Sequence, residues 1–416
     1  MTGSWRLVSA ASVILVFSGF LLSNSSLLII ALPFLAFAFV PFLLPLPKAA
    51  AAASVELERV VMPEGESTAV IVSVTNNGPA VPLAHISLCV PEGIRIEEET
   101  LLATSRSVGA VGSMSYRITA SRGKYDLTTV RLQAQDALGL QQGETLLPVS
   151  ASVSVVPLGE RLENVEIFPS RTRTLSGNIR SRSPGSGVEF FGTREYSPGD
   201  PLRQINWRAG ERWDHLVTNV YIEEKAADVG IVLDARRVTD VVIHGDSLFE
   251  HSVRAAASMA DCFLRRGNRV GLLNYGSFLD WISPGYGRQQ QMRILSALCR
   301  VQPGDHAAFR EFSYLPIRLF PPRAQLVFIS PLQADDVSTL RFLRALKFEL
   351  LVVSPDPIAF EASRGNLDEY GKLAKQILRA GRTALLTQAR RSGARVIEWD
   401  TSIPLGVTLH RLGGQR

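Results

Sequence analysis

Val229-Gly230-Ile231-Val232-Leu233-Asp234 is a short apolar run closed by a carboxylate. The run has strand length, three of its residues are β-branched, and no polar residue interrupts it. Both of its faces must therefore be covered, as in a central strand of a parallel sheet. The residues that follow repeat this logic. Phe249, Val253, Ala256, Ala257, Ala260 and Phe263 fall at helical spacing within about Ser247 to Arg266. A strand at Arg269 to Asn274, a hairpin-like piece at Ser277 to Ile282 and a helix at Gln289 to Arg300 come next. A strand (Leu326 to Ser330), a helix (Asp335 to Leu346) and a strand (Glu349 to Ser354) continue the pattern. The last pair is a helix at about Asp368 to Arg391 and a strand at Ala394 to Trp399. Such alternation predicts a doubly wound α/β domain over 228–416, with its sites beyond the carboxyl ends of the strands.

Immediately upstream, 158–227 reads as a linker with an unusual core, Arg194-Glu195-Tyr196-Ser197-Pro198-Gly199-Asp200-Pro201-Leu202-Arg203-Gln204-Ile205-Asn206-Trp207-Arg208. Arginines, acids and aromatics crowd together here without periodicity. This core, continuing through Tyr221-Ile222-Glu223-Glu224 to the Asp-ended strand, resembles the signature of Domain of Unknown Function 58. In that family an Arg-Glu-Tyr-x-Pro-Gly-Asp core precedes a von Willebrand factor A-like domain. Arg194, Glu195, Tyr196, Pro198, Gly199, Asp200, Arg203, Ile205 and Trp207 match, with Asn206 where Asp is more usual. Arg122 to Leu127 and Asp136 to Leu140 also resemble the family's pattern. The resemblance implies a von Willebrand A-like fold for 228–416, and a MoxR-type AAA+ ATPase as partner in assembling or remodelling a protein client.

An A-type domain of this sort holds a divalent cation through Asp-x-Ser-x-Ser, a Thr and a second Asp, because a hard cation needs several oxygens. Here Asp234 is followed by Ala235-Arg236-Arg237-Val238, so both serines are missing. Pro303-Gly304-Asp305-His306-Ala307 lacks the Thr, and Leu326 to Ser330 runs into Pro331-Leu332 where the other Asp would lie. A degenerate site that binds no metal is the expectation, with Asp234 paired to Arg236, Arg237 or a loop amide. No other cofactor is expected.

Before the linker, alternating β-branched runs at Ser67 to Val74, Ala84 to Cys89, Ser113 to Ala120, Leu127 to Ala134 and Ser150 to Val156 predict strands. Asn76-Asn77-Gly78-Pro79 marks a turn between the first two. Strands at this spacing over 54–157 imply an all-β sandwich, immunoglobulin-like in size.

Residues 7 to 47 carry no charge and are interrupted by Ser23-Asn24-Ser25-Ser26. One bilayer crossing needs roughly 20 apolar residues, so 1–48 reads as a transmembrane hairpin with spans at about 7–22 and 27–46. A cleaved signal peptide is the rival reading, but it has no need of the second apolar run. Arg6 and Lys48 flank the pair on one side, which places the rest of the chain in the cytoplasm by the positive-inside rule. The expected location is thus the cell membrane, multi-pass, in contact with the lipid bilayer.

Charged residues at 20% and hydrophobic residues at 46% exclude a wholly disordered chain. The net charge of +5 comes from intermixed acids and bases, so nucleic acid is not an expected partner. Cys89, Cys262 and Cys299 are scattered and form neither a zinc motif nor a disulfide framework. Neither a phosphate loop nor a nucleophile elbow is present, and the six histidines are dispersed, so the chain reads as non-enzymatic. The signature residues Arg194, Glu195, Tyr196, Pro198, Gly199, Asp200, Arg203, Asn206, Trp207, Arg208 and Glu223 carry two readings. In one they form a packed seam between domains, in which each broken ion pair costs a few kcal/mol. In the other they form a docking surface, because Arg, Tyr and Trp dominate binding hot spots. A membrane-anchored adaptor is the function expected; an outward-facing, metal-dependent adhesion module is the alternative.

Overall fold

The computed structural model describes the chain apart from residues 1–2, 44–49, 79–82, 104–110, 136–139, 164, 166–171, 174–178, 214, 277–278, 306–314, 365–368 and 414–416. The chain divides into two compact units, Met1–Val156 and Pro157–Arg416.

The first unit opens with α1 (Gly3–Leu21) and α2 (Ser25–Leu43), both long and apolar enough to cross a membrane. Leu7, Phe17, Phe20, Ile29, Leu32 and Phe42 point outward and are exposed, the inverse of a water-soluble helix pair. Between the helices Ser23 takes a positive φ of 50°. The Asn24 side chain accepts from the Ser26 N–H at 3.0 Å, capping α2. Packing is close at this end, since a Cβ on Gly19 would meet Leu28 at 2.7 Å. At the other end the Trp5 indole donates to the Ala38 carbonyl at 3.0 Å. α1 begins ahead of Arg6, earlier than apolarity alone suggested, because a terminal arginine at a helix start does not interrupt its backbone ladder.

Among the described residues eight strands follow: β1 (Ala51–Leu57), β2 (Val61–Pro63), β3 (Ser67–Asn76), β4 (Leu83–Cys89), β5 (Ile94–Ala103), β6 (Val111–Ala120), β7 (Gly123–Gln135) and β8 (Gln142–Val156). They form two four-stranded sheets, ordered β1-β3-β6-β5 and β2-β8-β7-β4. Val70, Val72, Tyr116 and Ile118 of one sheet share a buried cluster with Leu88, Leu127, Val130 and Val153 of the other. Alternation along β3, with Val70, Val72 and Val74 buried and Ile71 and Ser73 less so, follows from the two-residue period of a strand. Tyr116 enters this core because its hydroxyl donates to the Ile86 carbonyl at 2.7 Å. Ala51 to Ala53, which fall between the expected hairpin and the expected sandwich, belong to β1 and pair with β3.

In the second unit β9 (Thr172–Arg173) and β10 (Ile179–Glu195) pair antiparallel with β11 (Val217–Asp234); α3 (Trp207–Trp213) lies between β10 and β11 in sequence. β12 (Val242–Ile243) and β13 (Asp246–Ser247) make a small hairpin ahead of α4 (Leu248–Arg265). The remaining elements alternate: β14 (Arg269–Tyr275), β15 (Leu279–Gly285), α5 (Gly287–Arg300), β16 (Gln325–Ile329), α6 (Asp336–Ala345), β17 (Glu349–Pro355), α7 (Pro357–Arg364), α8 (Glu369–Arg391), β18 (Arg395–Trp399) and α9 (Leu405–Gly413). The sheet order is β15-β14-β11-β16-β17-β18, parallel throughout except for β15 at the edge.

Val229 to Asp234 sits in the middle of this sheet between β14 and β16. Its alternate residues feed two separate cores. Val229, Ile231 and Leu233 pack with Phe249, Val253 and Phe263 of α4, and Val232 packs with Phe328, Leu340 and Leu386. Gly230 is required by crowding: a Cβ there would lie 2.5 Å from the Phe320 ring. The segment 158–227 thus contributes β9, β10, α3 and the first part of β11, which enters the sheet without a break.

Candidate functional site

Two constellations stand out in the second unit, one at the carboxyl end of the central strands and one on the ribbon upstream.

β11 ends at Asp234, and the chain turns so that Arg236 folds back over it. The Arg236 side chain is 3% exposed and lies between two carboxylates that are themselves fully buried. Its Nε and Nη2 donate to Asp234 at 2.8 Å each. Nη1 and Nη2 donate to Asp336 at 3.0 and 2.8 Å. Asp336 comes from the first turn of α6, where its Oδ2 also accepts from the Gln333 N–H at 2.8 Å. Ser330, one residue beyond β16, donates its hydroxyl to Asp234 Oδ2 at 2.6 Å. Burial opposes charge on Arg236, but the bonds from Asp234 and Asp336 outweigh it and hold the guanidinium pKa above its ordinary value. For Asp336 the balance differs: burial raises its pKa, and Arg236 only partly offsets that rise.

This arrangement decides how the corner treats cations. A divalent ion at Asp234 would have to displace a guanidinium that already satisfies both carboxylates bidentately, the strongest pairing geometry available to arginine. Asp234, Ser330 and Asp336 do not fit a metal while Arg236 is in place. Among the described residues no group of three His, Cys, Asp or Glu side chains gathers in a metal-holding arrangement. His306 and Ala307 of the neighbouring loop lie outside the described residues. Gly304 of that loop pairs by its backbone with Ala235 and Arg237, closing the corner from the side.

The sheet end next to it is sealed in the same way. Arg382 of α8 is buried and donates to the carbonyls of Pro331, Ser354 and Pro355 and to the Ser354 hydroxyl, at 2.9–3.3 Å. Its Nε lies 3.0 Å from Glu398 and 3.3 Å from Asp356. One guanidinium therefore ties together the carboxyl ends of β17 and β18 and the loop after β16. Sequence reading missed Asp336, Ser330, Arg382 and Asp356. The only available signals were an Asp-Asp pair before a helical pattern and an arginine interrupting an apolar helix face.

The signature residues take a different form. Arg194, one residue before the end of β10, donates from Nη2 to Asp200 Oδ1 at 2.6 Å. Asp200 Oδ2 accepts from the Ser197 N–H at 3.0 Å and from the Thr218 hydroxyl at 3.4 Å. Pro198-Gly199 makes the turn between them, and Gly199 needs its missing side chain because φ is 110°. The Arg194 bond, joined by the Ser197 amide, holds the Asp200 carboxyl below the usual carboxylate range. Asn206 stands at the start of α3: its Oδ1 accepts from the Ala209 N–H at 3.1 Å, and its Nδ2 donates to Asn219 at 2.9 Å. An Asp there would cap the helix equally well but could not donate to Asn219. Ile205 is buried and bridges to Thr218.

Around this scaffold the large side chains face water. Trp207 is 62% exposed, and Leu202, Trp213, Arg203 and Arg208 are exposed as well. The Arg194 side chain is 48% exposed, so its pair with Asp200 is a surface one. Tyr196 is half-buried, and Glu195 is exposed, 3.9 Å from His215. Arg194, Asp200 and Asn206 are brought together through β11. The side chain of Glu223 lies outside the described residues, although its backbone belongs to β11. Within the second unit, then, Trp207, Trp213, Leu202, Arg203 and Arg208 are not packed into its core.

Curated relatives match part of the chain. YeaD of Bacillus subtilis (strain 168) is 24% identical over 256 residues, which is 58% of this chain and 62% of that protein. Mb1516 of Mycobacterium bovis and Rv1480 of Mycobacterium tuberculosis are each 27% identical over 125 residues, 30% of this chain and 39% of theirs. The chain thus spans less than two thirds of the length of each. Among solved structures, the FixG-related protein from Vibrio parahaemolyticus covers 25% of this chain and 95% of its own at 13% identity, with a TM-score of 0.17. The family model "Protein of unknown function DUF58" matches residues 192–352, a stretch that begins two residues ahead of the signature core and takes in Asp234, Arg236, Ser330 and Asp336.

Proposed function

We propose that this chain is a membrane-anchored, non-enzymatic adaptor whose second unit is a von Willebrand A-like domain with its cation position filled by Arg236. The observation that carries the reading is the contrast between the two constellations. At the carboxyl end of the sheet, where folds of this type recruit ligands, Asp234, Arg236, Asp336, Asp356 and Arg382 are buried and turned onto one another or onto backbone carbonyls. On the ribbon, Trp207, Trp213, Leu202, Arg203 and Arg208 are turned outward from a framework fixed by Asp200, Asn206 and Gly199. Exposed Trp and Arg on a rigid base is the composition of a protein-binding hot spot. The MoxR-type AAA+ ATPase is the partner that the family resemblance suggests, and α1 and α2 supply the anchor. The first unit is proposed to be an immunoglobulin-like sandwich, held on the cytoplasmic side with the rest.

Capture from detergent-solubilised membranes, read by mass spectrometry, tests this. The wild-type chain should retain an AAA+ ATPase that Trp207→Ala with Arg208→Glu loses, the melting temperature staying unchanged. Equal capture by the variant, or capture that depends on added magnesium, would sink the proposal.

A further inference from the structure

The helix α8 (Glu369–Arg391) is apolar on the side that faces away from the protein. Arg382, Leu386 and Ala389 point inward and are buried. On the opposite face Leu373, Ile377, Ala380, Gly381 and Ala384 recur at intervals of four, three, one and three residues, and all are exposed, Ile377 to 66%. Solvent-facing stripes on an outer helix are ordinarily polar. Here the polar residues have moved to the margins. Arg379 lies along one flank by helical position, and Arg390 and Arg391 stand where the stripe ends. Apart from Glu369 in its first turn, the helix contains no acidic residue.

The charge decides what covers this face. A second copy of the same helix would bring like charges together along the contact, which is unfavourable. An anionic surface would be matched. A basic helix with an outward apolar stripe is the pattern that lies in the headgroup layer of a bilayer, with long Lys and Arg side chains reaching back toward phosphates. On the membrane-anchored reading proposed above, on which this inference rests, α1 and α2 hold the same chain at a bilayer, so a lipid surface is present at high effective concentration.

We propose that α8 docks on the anionic lipid surface of the membrane that anchors the chain, with Leu373 and Ile377 entering the headgroup boundary. This surface is separate from the signature ribbon and does not depend on any protein partner.

The test uses the full chain in lipid nanodiscs. Ala380→Cys, in the middle of the stripe, is labelled with an environment-sensitive fluorophore in a Cys89→Ser background, Cys262 and Cys299 being buried. Discs of phosphatidylcholine alone are compared with discs that also contain phosphatidylglycerol, each carrying a nitroxide-labelled lipid as quencher. The expected result is quenching only with phosphatidylglycerol, reversed by high salt. Replacing Arg379, Arg390 and Arg391 by Gln should remove it without changing the melting temperature, since three lost contacts weaken such binding by about a hundredfold. Equal fluorescence in both kinds of disc would overturn the proposal. So would a change that follows protein concentration in phosphatidylcholine discs, which would assign the stripe to another copy. A chain that fails to enter discs at all would remove the tether on which the proposal rests.

Discussion

Replacing Arg236 by Met tests whether the guanidinium is the structural cation of the second unit. The substitution keeps the length and apolar stem of the side chain but removes the donors that hold Asp234 and Asp336. Both carboxylates are buried, and Asp336 already has a pKa raised by burial with the guanidinium in place. Stranding a buried charge costs about 3–5 kcal/mol. For a unit of this size that is a fall of about 6–20 °C in melting temperature. The pH dependence has a definite sign. A carboxyl whose folded pKa is raised binds more protons folded than unfolded, so stability falls as pH rises from the ordinary carboxylate range through the folded pKa. The Arg236→Met variant should therefore be weakest at neutral pH and regain stability on acidification, until the carboxylates are neutral. Thermal unfolding of the full chain in detergent, followed by tryptophan fluorescence at neutral and mildly acidic pH, reads both effects. Adding Asp234→Asn and Asp336→Asn to Arg236→Met should recover most of the loss, because no bare charge remains. A variant that melts within about 2 °C of wild type at neutral pH, or whose deficit does not shrink with acid, would refute the reasoning.

Arg194→Ala breaks a pair whose arginine is half exposed and should leave the melting temperature nearly unchanged in the same unfolding assay; a large fall would show that the pair is held in a packed seam. His251 of α4 is enclosed by Phe360 and Trp399, with Asp246, Arg364 and Arg254 as its charged neighbours. Burial lowers its pKa despite the Asp246 bond, so the folded state resists its protonation and stability falls as pH drops below the ordinary histidine value. The difference between wild type and His251→Gln, tracked from neutral to mildly acidic pH, should isolate this loss; a constant difference would show that His251 titrates normally.

The α/β alternation was readable because β14, β16 and β17 are buried along almost their whole length, leaving compact apolar runs. β5 was not, because Glu97, Glu98 and Glu99 break the two-residue rhythm, and its pairing with β6 shifts register between Ile96 and Glu98. The Asp234–Arg236 contact could be anticipated from two residues of separation. Asp336 could not, being 100 positions away from Arg236 and joined to it only by the sheet's topology. The signature was recognisable as a string of letters, yet exposure is a property of packing: nothing in Trp207 itself distinguishes an aromatic that fills a seam from one that faces water.

β11 runs from the ribbon to the corner as one strand, Val217–Asp234. The irregularities of the ribbon fall on its partner, whose pairing slips between Arg180 and Pro184, between Gly185 and Phe190, and between Phe190 and Gly192. β11 itself joins β14 and β16 without any slip. Side chains on a strand alternate faces, so one residue inserted into β11 would invert every position on one side of the insertion. The ribbon would then present its outward groups inward, or Asp234 would turn away from Arg236. Length variation is thus confined to β10 and its approach, while the spacing from Thr218 to Asp234 is locked by parity. Where lineages of such chains diverge in length, gains and losses should accumulate ahead of Arg194 and spare the strand that follows Val217.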